Sequence, residues 1–209
     1  MRPGLQRAEN DSLEPSRVVP GESADLSNLA AVLRRGFDEE PVQQWLFPSR
    51  TYRTLASELW FRGMLRGALE NGTIWRLADN SSIAVWFGPG CEGEGIGLAD
   101  KLFRAVIKIN PRTARLKSEL DHQLQVRRPP DPHWYLAAVA TETRFRGQGR
   151  GKAVLNPTLL ECDRQHLPAY LETSNPRSVP FYESLGFTVW SEFSVQDGPG
   201  VWCMGRRQD

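Results

Sequence analysis

Three alternating glycines, placed between an apolar stretch and a helical pattern, restrict what this chain can fold into more than any other feature. Residues 133–141 (HWYLAAVAT) are almost continuously apolar, which is typical of a strand that is covered on both faces. Gly147, Gly149 and Gly151 come shortly afterwards, and the apolar residues beyond them are spaced for one face of a helix. Because a further apolar run lies at residues 169–173, the order of these patterns predicts a βαβ unit.

The glycine-rich turn is suited to holding an anion with its backbone. Glycine reaches positive φ and has no Cβ, so successive N–H groups can converge on a phosphate, and the dipole of the following helix adds to their field. The spacing excludes the two common nucleotide motifs. A P-loop requires Ser or Thr after its lysine, whereas Ala153 follows Lys152, and the alternating glycines do not have the order of the dinucleotide fingerprint.

Hydrophobic periodicity along the rest of the chain predicts a single α/β domain. We expect residues 1–15 to form a flexible tail, because they offer little apolar surface to bury, and residues 16–209 to form the domain. Residues 36–48 contain a glycine and two prolines and are predicted to be a linker. Helices are predicted at residues 22–37, 52–69, 98–109, 116–124, 154–162 and 178–185, and strands at residues 17–20, 73–78, 82–87, 133–141, 169–173, 188–195 and 201–206.

Composition narrows the class of partner. The chain has 26 Lys and Arg against 25 Asp and Glu, a net charge of +1, so its overall field gives no reason to expect nucleic acid. Its three cysteines and three histidines are dispersed, and we therefore expect neither a disulfide scaffold nor a metal site. The sequence has no pattern of a signal peptide or a membrane span, which predicts a cytoplasmic protein without a membrane partner.

Two segments of the second half have spacings that are characteristic of one enzyme superfamily. Residues 146–151 (RGQGRG), an Arg-x-x-Gly-x-Gly pattern between a strand and a helix, resemble the pyrophosphate-binding turn of the GNAT superfamily of acetyl-CoA-dependent N-acetyltransferases. Residues 175–187 (NPRSVPFYESLGF) resemble a later motif of the same superfamily. Within the superfamily, residues 134–137, 171–174 and 202–204 resemble the puromycin N-acetyltransferase branch.

The resemblance implies a fold, a co-substrate and a binding site. The fold would be of the α/β (α+β) class, with a mixed, mainly antiparallel sheet of six to seven strands flanked by helices, whose splayed middle strands form the acetyl-CoA cleft. The co-substrate would be acetyl-CoA, bound without a metal. The residues implied to bind it are Val139, Ala140, Thr141, Arg146, Gly147, Gln148, Gly149, Arg150, Gly151, Lys152, Asn175 and Tyr182.

Acetyl transfer to an amine defines the catalytic groups to look for. An alkylamine is mostly protonated at pH 7, so a carboxylate should take its proton, directly or through a water. Glu172 is the first candidate because it interrupts an apolar strand, although it could equally be a surface residue or an ion-pair partner of Arg177, and Glu142 is the second. Tyr182 is implied by the resemblance to be the general acid. We expect Trp45, Trp134 and Glu172 to line the acceptor pocket.

Three functions are compatible with these patterns. The first is acetylation of a small-molecule amine, for example an aminonucleoside or aminoacyl antibiotic, as a detoxification or resistance reaction. A peptide or protein amine is the alternative acceptor. An RNA-binding module that uses the basic turn is the third, and the net charge of +1 argues against it. The sequence leaves open whether the protein is a monomer or a homodimer.

Overall fold

The computed structural model describes residues 14–17, 26–91, 95 and 97–207, arranged around one seven-stranded sheet. The strands are β1 (Pro15–Arg17), β2 (Gly72–Leu77), β3 (Ser82–Phe87), β4 (Trp134–Thr141), β5 (Ala169–Thr173), β6 (Thr188–Phe193) and β7 (Val201–Arg206). The helices are α1 (Leu26–Gly36), α2 (Pro41–Leu46), α3 (Arg50–Asn71), α4 (Gly97–Ile109), α5 (Pro111–Gln125), α6 (Arg150–Gln165) and α7 (Val179–Glu183). Short 3-10 helices lie at Thr143–Phe145 and Pro176–Ser178.

The order of strands confirms the predicted fold class. Neighbours follow the order β1-β2-β3-β4-β5-β7-β6, and every pair is antiparallel except β4 and β5. The parallel pair is joined through α6, as the predicted βαβ unit requires. The sheet is therefore mixed and mainly antiparallel.

Three of the predicted strands have the observed bounds. These are β3, β5 and β7, and β4 begins one residue later than predicted. Strand β1 begins at Pro15, inside the predicted tail. Residues 1–13 of that tail, and residues 18–20 of the predicted first strand, lie outside the described residues.

Side chains that alternate along each strand point into two separate layers. In β3, Trp86 packs against α6, whereas Val85 packs against α1 and α3. We call these two sides the α6 face and the α3 face. In β5, Leu171 lies on the α6 face and Tyr170 on the α3 face, where α2, α4 and α5 contribute to the same core.

Helix α2 corrects the prediction that residues 36–48 are a linker. Pro41 occupies the first turn of the helix, and the Glu40 side chain accepts a hydrogen bond from the backbone N–H of Gln43. Proline at this position costs no helical hydrogen bond, because the first N–H groups of a helix have no partner within it. A helix of six residues is too short to produce a recognisable period, which is why the sequence did not indicate it.

Candidate active site

The two middle strands separate after only three pairs of residues. Strand β4 pairs with β5 as far as Leu136 and Leu171, and β4 then continues to Thr141 with no partner in β5. Ala137 is an extra residue on β4 relative to β3, so the strand also bulges where the separation begins. The backbone edge at residues 137–141 therefore has no strand partner on the side of β5, as predicted for splayed middle strands.

The glycine-rich turn presents an open surface of backbone beyond the end of this unpaired edge. Gly147 and Gly149 both have φ of 77°, a conformation that side chains rarely adopt. A Cβ placed on either glycine would meet nothing within 4 Å, so the space beside the turn is free. Gly149 caps α6 without a side-chain hydrogen bond, which leaves the first N–H groups of the helix available to an anion. These features fit a pyrophosphate.

Arg150 has a structural role that the sequence did not indicate. Its guanidinium pairs with the Asp79 carboxylate at 2.6 Å and donates to the Ser81 hydroxyl at 2.5 Å. It also stacks 4.1 Å from the centroid of the Phe145 ring. The side chain is 11% exposed, so Arg150 is not a solvated residue, and it ties the turn to the β2–β3 hairpin.

The other polar side chains of the turn are exposed. Arg146 donates from Nε to the carbonyl of Thr141 at 3.4 Å, and Gln148 donates from Nε2 to the carbonyl of Arg144 at 3.2 Å. Lys152 lies exposed in the first turn of α6. Both Arg146 and Lys152 can therefore reach an anion that is bound on the turn.

Tyr182 lies buried in the core of the α6 face. It is 8% exposed and packs against Phe187, with ring centroids 6.0 Å apart, and against its neighbour Phe181. Burial raises the pKa of Tyr182 well above its ordinary value, and the negative charge of Glu40 raises it further. The hydroxyl is therefore neutral throughout the physiological range and can act only as a proton donor or a hydrogen-bonding group.

Asn175 organises the backbone that leads to α7. Its Oδ1 accepts a hydrogen bond from the backbone N–H of Arg177 at 3.1 Å, and its own N–H donates to the Thr173 hydroxyl at 3.3 Å. The side chain thus caps a 3-10 turn, a role that fits the motif position without requiring contact with a ligand.

Glu172 lies on the α3 face with a cation already beside it. Its side chain is 8% exposed, and its Oε1 lies 3.4 Å from a guanidinium nitrogen of Arg128. That guanidinium also covers the Tyr135 ring at 4.3 Å from the centroid. Burial raises the pKa of the Tyr135 hydroxyl, and the Glu172 charge raises it further. The alternative that Glu172 pairs with Arg177 is wrong, because its partner is Arg128.

Glu142 is held by two arginines away from the separation of the strands. Its carboxylate pairs with Arg35 at 2.7 Å and with Arg144 at 3.3 Å. It lies six residues beyond Leu136, about 20 Å along an extended chain. A cavity of about 220 Å³ adjoins it, and is lined by Arg35, Gly36, Thr141, Glu142, Thr143 and Arg144. Neither Tyr182 nor Glu172 is among the residues that line this cavity.

The two tryptophans expected in the acceptor pocket lie on opposite faces of the sheet. Trp45 of α2 donates from Nε1 to Asp197 at 3.3 Å, and its ring packs so closely on Gly198 that a Cβ there would lie 2.8 Å from it. Trp134 is partly buried against the core of the α6 face and donates from Nε1 to Gln165 at 3.0 Å. The expectation that Trp134 lines the same pocket as Glu172 is therefore wrong, since β4 directs it to the other layer.

Glu40 is a carboxylate near this site that the sequence did not single out. Its Oε1 accepts a hydrogen bond from the Ser174 hydroxyl, directly after β5, and its charge acts on Tyr182. Burial raises the pKa of Glu40, although hydrogen bonds from Ser174 and the backbone oppose this effect. A glutamate before a proline is unremarkable in sequence, so only the contact with Ser174, 134 residues away, identifies it.

Comparison with known sequences finds a family model that matches part of the second half of the chain. Residues 113–187 match the model of the acetyltransferase (GNAT) family, and this segment contains both the glycine-rich turn and residues 175–187. An uncharacterized N-acetyltransferase of Schizosaccharomyces pombe is 28% identical over 178 residues, which cover 79% of this chain and 72% of that protein.

Solved structures share the fold over almost the whole chain. A Corynebacterium glutamicum protein of the histone acetyltransferase HPA2 and related acetyltransferase group has a TM-score of 0.66 at 20% identity, covering 95% of this chain and 97% of that one. Arylalkylamine N-acetyltransferase 2 from Aedes aegypti has a TM-score of 0.62 at 14% identity, covering 93% and 98%. At these identities the likeness concerns the fold alone. Across the residues that the structure describes, none of the helices is both long and apolar enough to cross a membrane.

Proposed function

We propose that the chain is an acetyltransferase of the GNAT superfamily, and that it moves an acetyl group from acetyl-CoA to the amine of a small molecule. The observation that carries the choice of acceptor is the contact of Trp45 with Asp197 and Gly198. This contact joins α2 to the β6–β7 turn on the α3 face. In the proposed complex the Trp45 side chain narrows the space for the acceptor, which favours a small molecule over an extended peptide.

Acetyl-CoA fits the residues at the cleft. In the proposed complex its pyrophosphate binds the N–H groups of the glycine-rich turn and of the first turn of α6, with Arg146 and Lys152 beside it. The backbone of Val139, Ala140 and Thr141 then hydrogen-bonds the remainder of the molecule along the unpaired edge of β4. Arg150 contributes indirectly, because it fixes the turn through Asp79.

The chemistry requires an oxyanion donor and a proton for the leaving thiol. A backbone N–H on the unpaired edge of β4 can stabilise the oxyanion without any side chain, which agrees with the small residues Ala137, Ala138 and Ala140. The neutral hydroxyl of Tyr182 can donate its proton to the thiolate sulfur. Glu172, tied to Arg128, is better placed to shape the acceptor pocket than to accept a proton.

The acceptor amine defines the competing proposals. An aminonucleoside or aminoacyl antibiotic such as puromycin is one small-molecule amine that the branch resemblance suggests. A peptide or protein amine remains the second acceptor class, and the contact of Trp45 with Asp197 between α2 and the β6–β7 turn favours the smaller acceptor. Binding of RNA through the basic turn is less favoured, because the Arg150 guanidinium already pairs with Asp79 and donates a hydrogen bond to Ser81.

A thiol-release assay tests this proposal directly. Purified protein is mixed with acetyl-CoA and a panel of amines that includes puromycin, alkylamines and short peptides, and the free thiol is followed over time. We expect release that depends on a small-molecule amine and a product that mass spectrometry identifies as its N-acetyl derivative. Turnover of peptides with no turnover of any small amine would refute the choice of acceptor, while leaving the acetyl transfer in place.

A further inference from the structure

Helix α4 has apolar side chains on two sides, and only one of these sides packs against the rest of the protein. Phe103 is buried and stacks on Trp60 of α3, with ring centroids 6.4 Å apart. Leu98 and Ile109, by contrast, are 71% and 76% exposed, and Leu102 is 45% exposed. Such a concentration of exposed apolar side chains on one helix of 13 residues is typical of an interaction surface.

The exposed apolar side chains form a narrow seam along the helix. Leu98, Leu102, Ala105 and Ile109 follow one another at intervals of four, three and four residues, and all of them are exposed. We call these four residues the α4 seam. At 3.6 residues per turn they lie within about 60° of the helix circumference. This spacing is the a/d pattern with which one helix packs against another in a coiled coil.

Basic side chains border the α4 seam along one side. Lys101 and Lys108 are seven residues apart, so they lie on the same edge of the seam, and both are exposed. Within the part of the chain that the structure describes, neither lysine forms an ion pair, whereas the neighbouring Arg104 pairs with Asp100 at 2.8 Å. Two ammonium groups beside an apolar seam are complementary to carboxylates that flank the seam of a second helix.

We propose that the α4 seam binds an amphipathic helix of a partner protein, whose own apolar seam is flanked by aspartate or glutamate. In this complex apolar side chains of the partner cover Leu98, Leu102 and Ile109, and its carboxylates pair with Lys101 and Lys108. The inference concerns a surface outside the candidate active site, and it does not depend on the acetyl transfer proposed above.

A second copy of this chain fits the α4 seam less well. When two identical helices pack antiparallel about a twofold axis, the flanking positions on one edge of the seam meet the same edge of the other helix. Lys101 would then face Lys108 of the second copy, and like charges at neighbouring positions are destabilising. A helix with acidic flanks places opposite charges there instead.

An anionic membrane also fits the α4 seam less well. Helices that lie on membranes insert a broad apolar face into the lipid. In α4 the large apolar residues outside the seam, Phe103 and Ile107, are buried within the protein, so that the exposed apolar stripe stays narrow. A stripe of this width matches the seam of a second helix better than a lipid surface.

Binding of synthetic helical peptides to the full chain tests this assignment. One peptide is about four heptads long, with leucine at positions a and d and glutamate at the flanking positions, and the other has lysine in place of glutamate. Both are labelled with fluorescein, and fluorescence anisotropy measures their dissociation constants at low and high salt. We expect the glutamate peptide to bind about tenfold or more tightly than the lysine peptide, and to bind less tightly as salt rises.

Substitutions on α4 make the test specific to the seam. Leu102→Gln together with Ile109→Gln should weaken binding of the glutamate peptide by about tenfold or more. Leu160→Gln is the matched control, because Leu160 is 67% exposed but lies on α6, and its affinity for the peptide should equal that of the wild type. Lys101→Glu together with Lys108→Glu should reverse the preference, so that the lysine peptide binds more tightly.

Several outcomes would overturn the inference. Equal affinities for the two peptides, or full affinity of the Leu102→Gln and Ile109→Gln variant, would exclude the seam as the binding site. Sedimentation of the wild-type protein as a dimer that this variant abolishes would assign the seam to a second copy. Binding to phosphatidylserine vesicles but to neither peptide would assign it to a membrane.

The charge-reversed variant keeps the test decisive if the apolar variant does not fold. Lys101→Glu with Lys108→Glu changes only exposed side chains, so its melting temperature should stay close to that of the wild type. Unfolding cannot produce a reversed preference between two peptides that differ only in charge. An unchanged preference in this folded variant would therefore reject the proposed partner.

Discussion

Replacing Arg150 by alanine tests whether this residue stabilises the glycine-rich turn or binds the co-substrate. The variant loses a stacking contact with Phe145 at 4.1 Å, worth about 1 kcal/mol in a partly buried site. It also loses the hydrogen bond to Ser81, about 1 kcal/mol, and an ion pair with Asp79. Because Asp79 is 45% exposed, we assign that pair only about 0.5 kcal/mol.

The sum of about 2.5 kcal/mol corresponds to a fall of about 5–10 °C in melting temperature for a chain of this length. Calorimetry provides the melting temperature, and isothermal titration at 15 °C provides the affinity for acetyl-CoA. Lys152→Ala is the matched control, since Lys152 is exposed on the same turn of α6. We expect the control to melt with the wild type but to bind acetyl-CoA a few-fold more weakly.

At acid pH, part of the stability difference between the wild type and Arg150→Ala should disappear. Although partial burial alone would raise the pKa of Asp79, hydrogen bonds with Ser81 and the charge of Arg150 lower it below its ordinary value. A lowered carboxyl pKa stabilises the fold above the unfolded pKa of about 3.9, and this stability is lost as pH falls through the folded value. The difference between wild type and variant should therefore narrow below about pH 4. A variant that melts within about 1 °C of wild type yet loses tenfold in acetyl-CoA affinity would contradict the structural role.

Three further substitutions test the site and the sheet. Tyr182→Phe should slow acetyl transfer by about 10²-fold while acetyl-CoA affinity, measured by titration, stays within about twofold; normal turnover would exclude Tyr182 as the acid. Gly149→Ala must hold φ of 77° with a side chain, so denaturant unfolding should report a loss of about 1–2 kcal/mol and titration a weaker affinity for acetyl-CoA. Gly205→Ala would place a Cβ 2.0 Å from the Trp190 ring and should cost about 1–3 kcal/mol, whereas Gly88→Ala, with its nearest contact at 3.6 Å, should cost less than half of that.

The second half of the fold could be predicted because its signals are local. The apolar run of β4, the positive-φ glycines and the short strand β5 each report a conformation of the residues that carry them. Helix α2 could not be predicted in this way. It is six residues long, and it is held by the contact of Val42 and Glu40 with Ser174, which is 132 and 134 residues away.

The candidate site shows the same contrast between features that follow from local sequence and features that depend on long-range contacts. Backbone features, namely the open turn and the unpaired edge of β4, follow from glycine spacing and strand pattern. The availability of each carboxylate does not, because it depends on which arginine reaches it through space. Arg35 is 107 residues from Glu142, and Arg128 is 44 residues from Glu172, so no local pattern reveals that both carboxylates are already paired.

The numbers of basic and acidic residues in the sequence are nearly equal, and this bears on the pairing of carboxylates with arginines. With 26 basic and 25 acidic side chains in the sequence, folding can pair most carboxylates near the site with a cation, and Glu172, Glu142 and Asp79 are paired. Desolvation of a carboxylate without a cation costs stability, so Glu40 depends on its hydrogen bonds from Ser174 and the backbone of Gln43 for compensation.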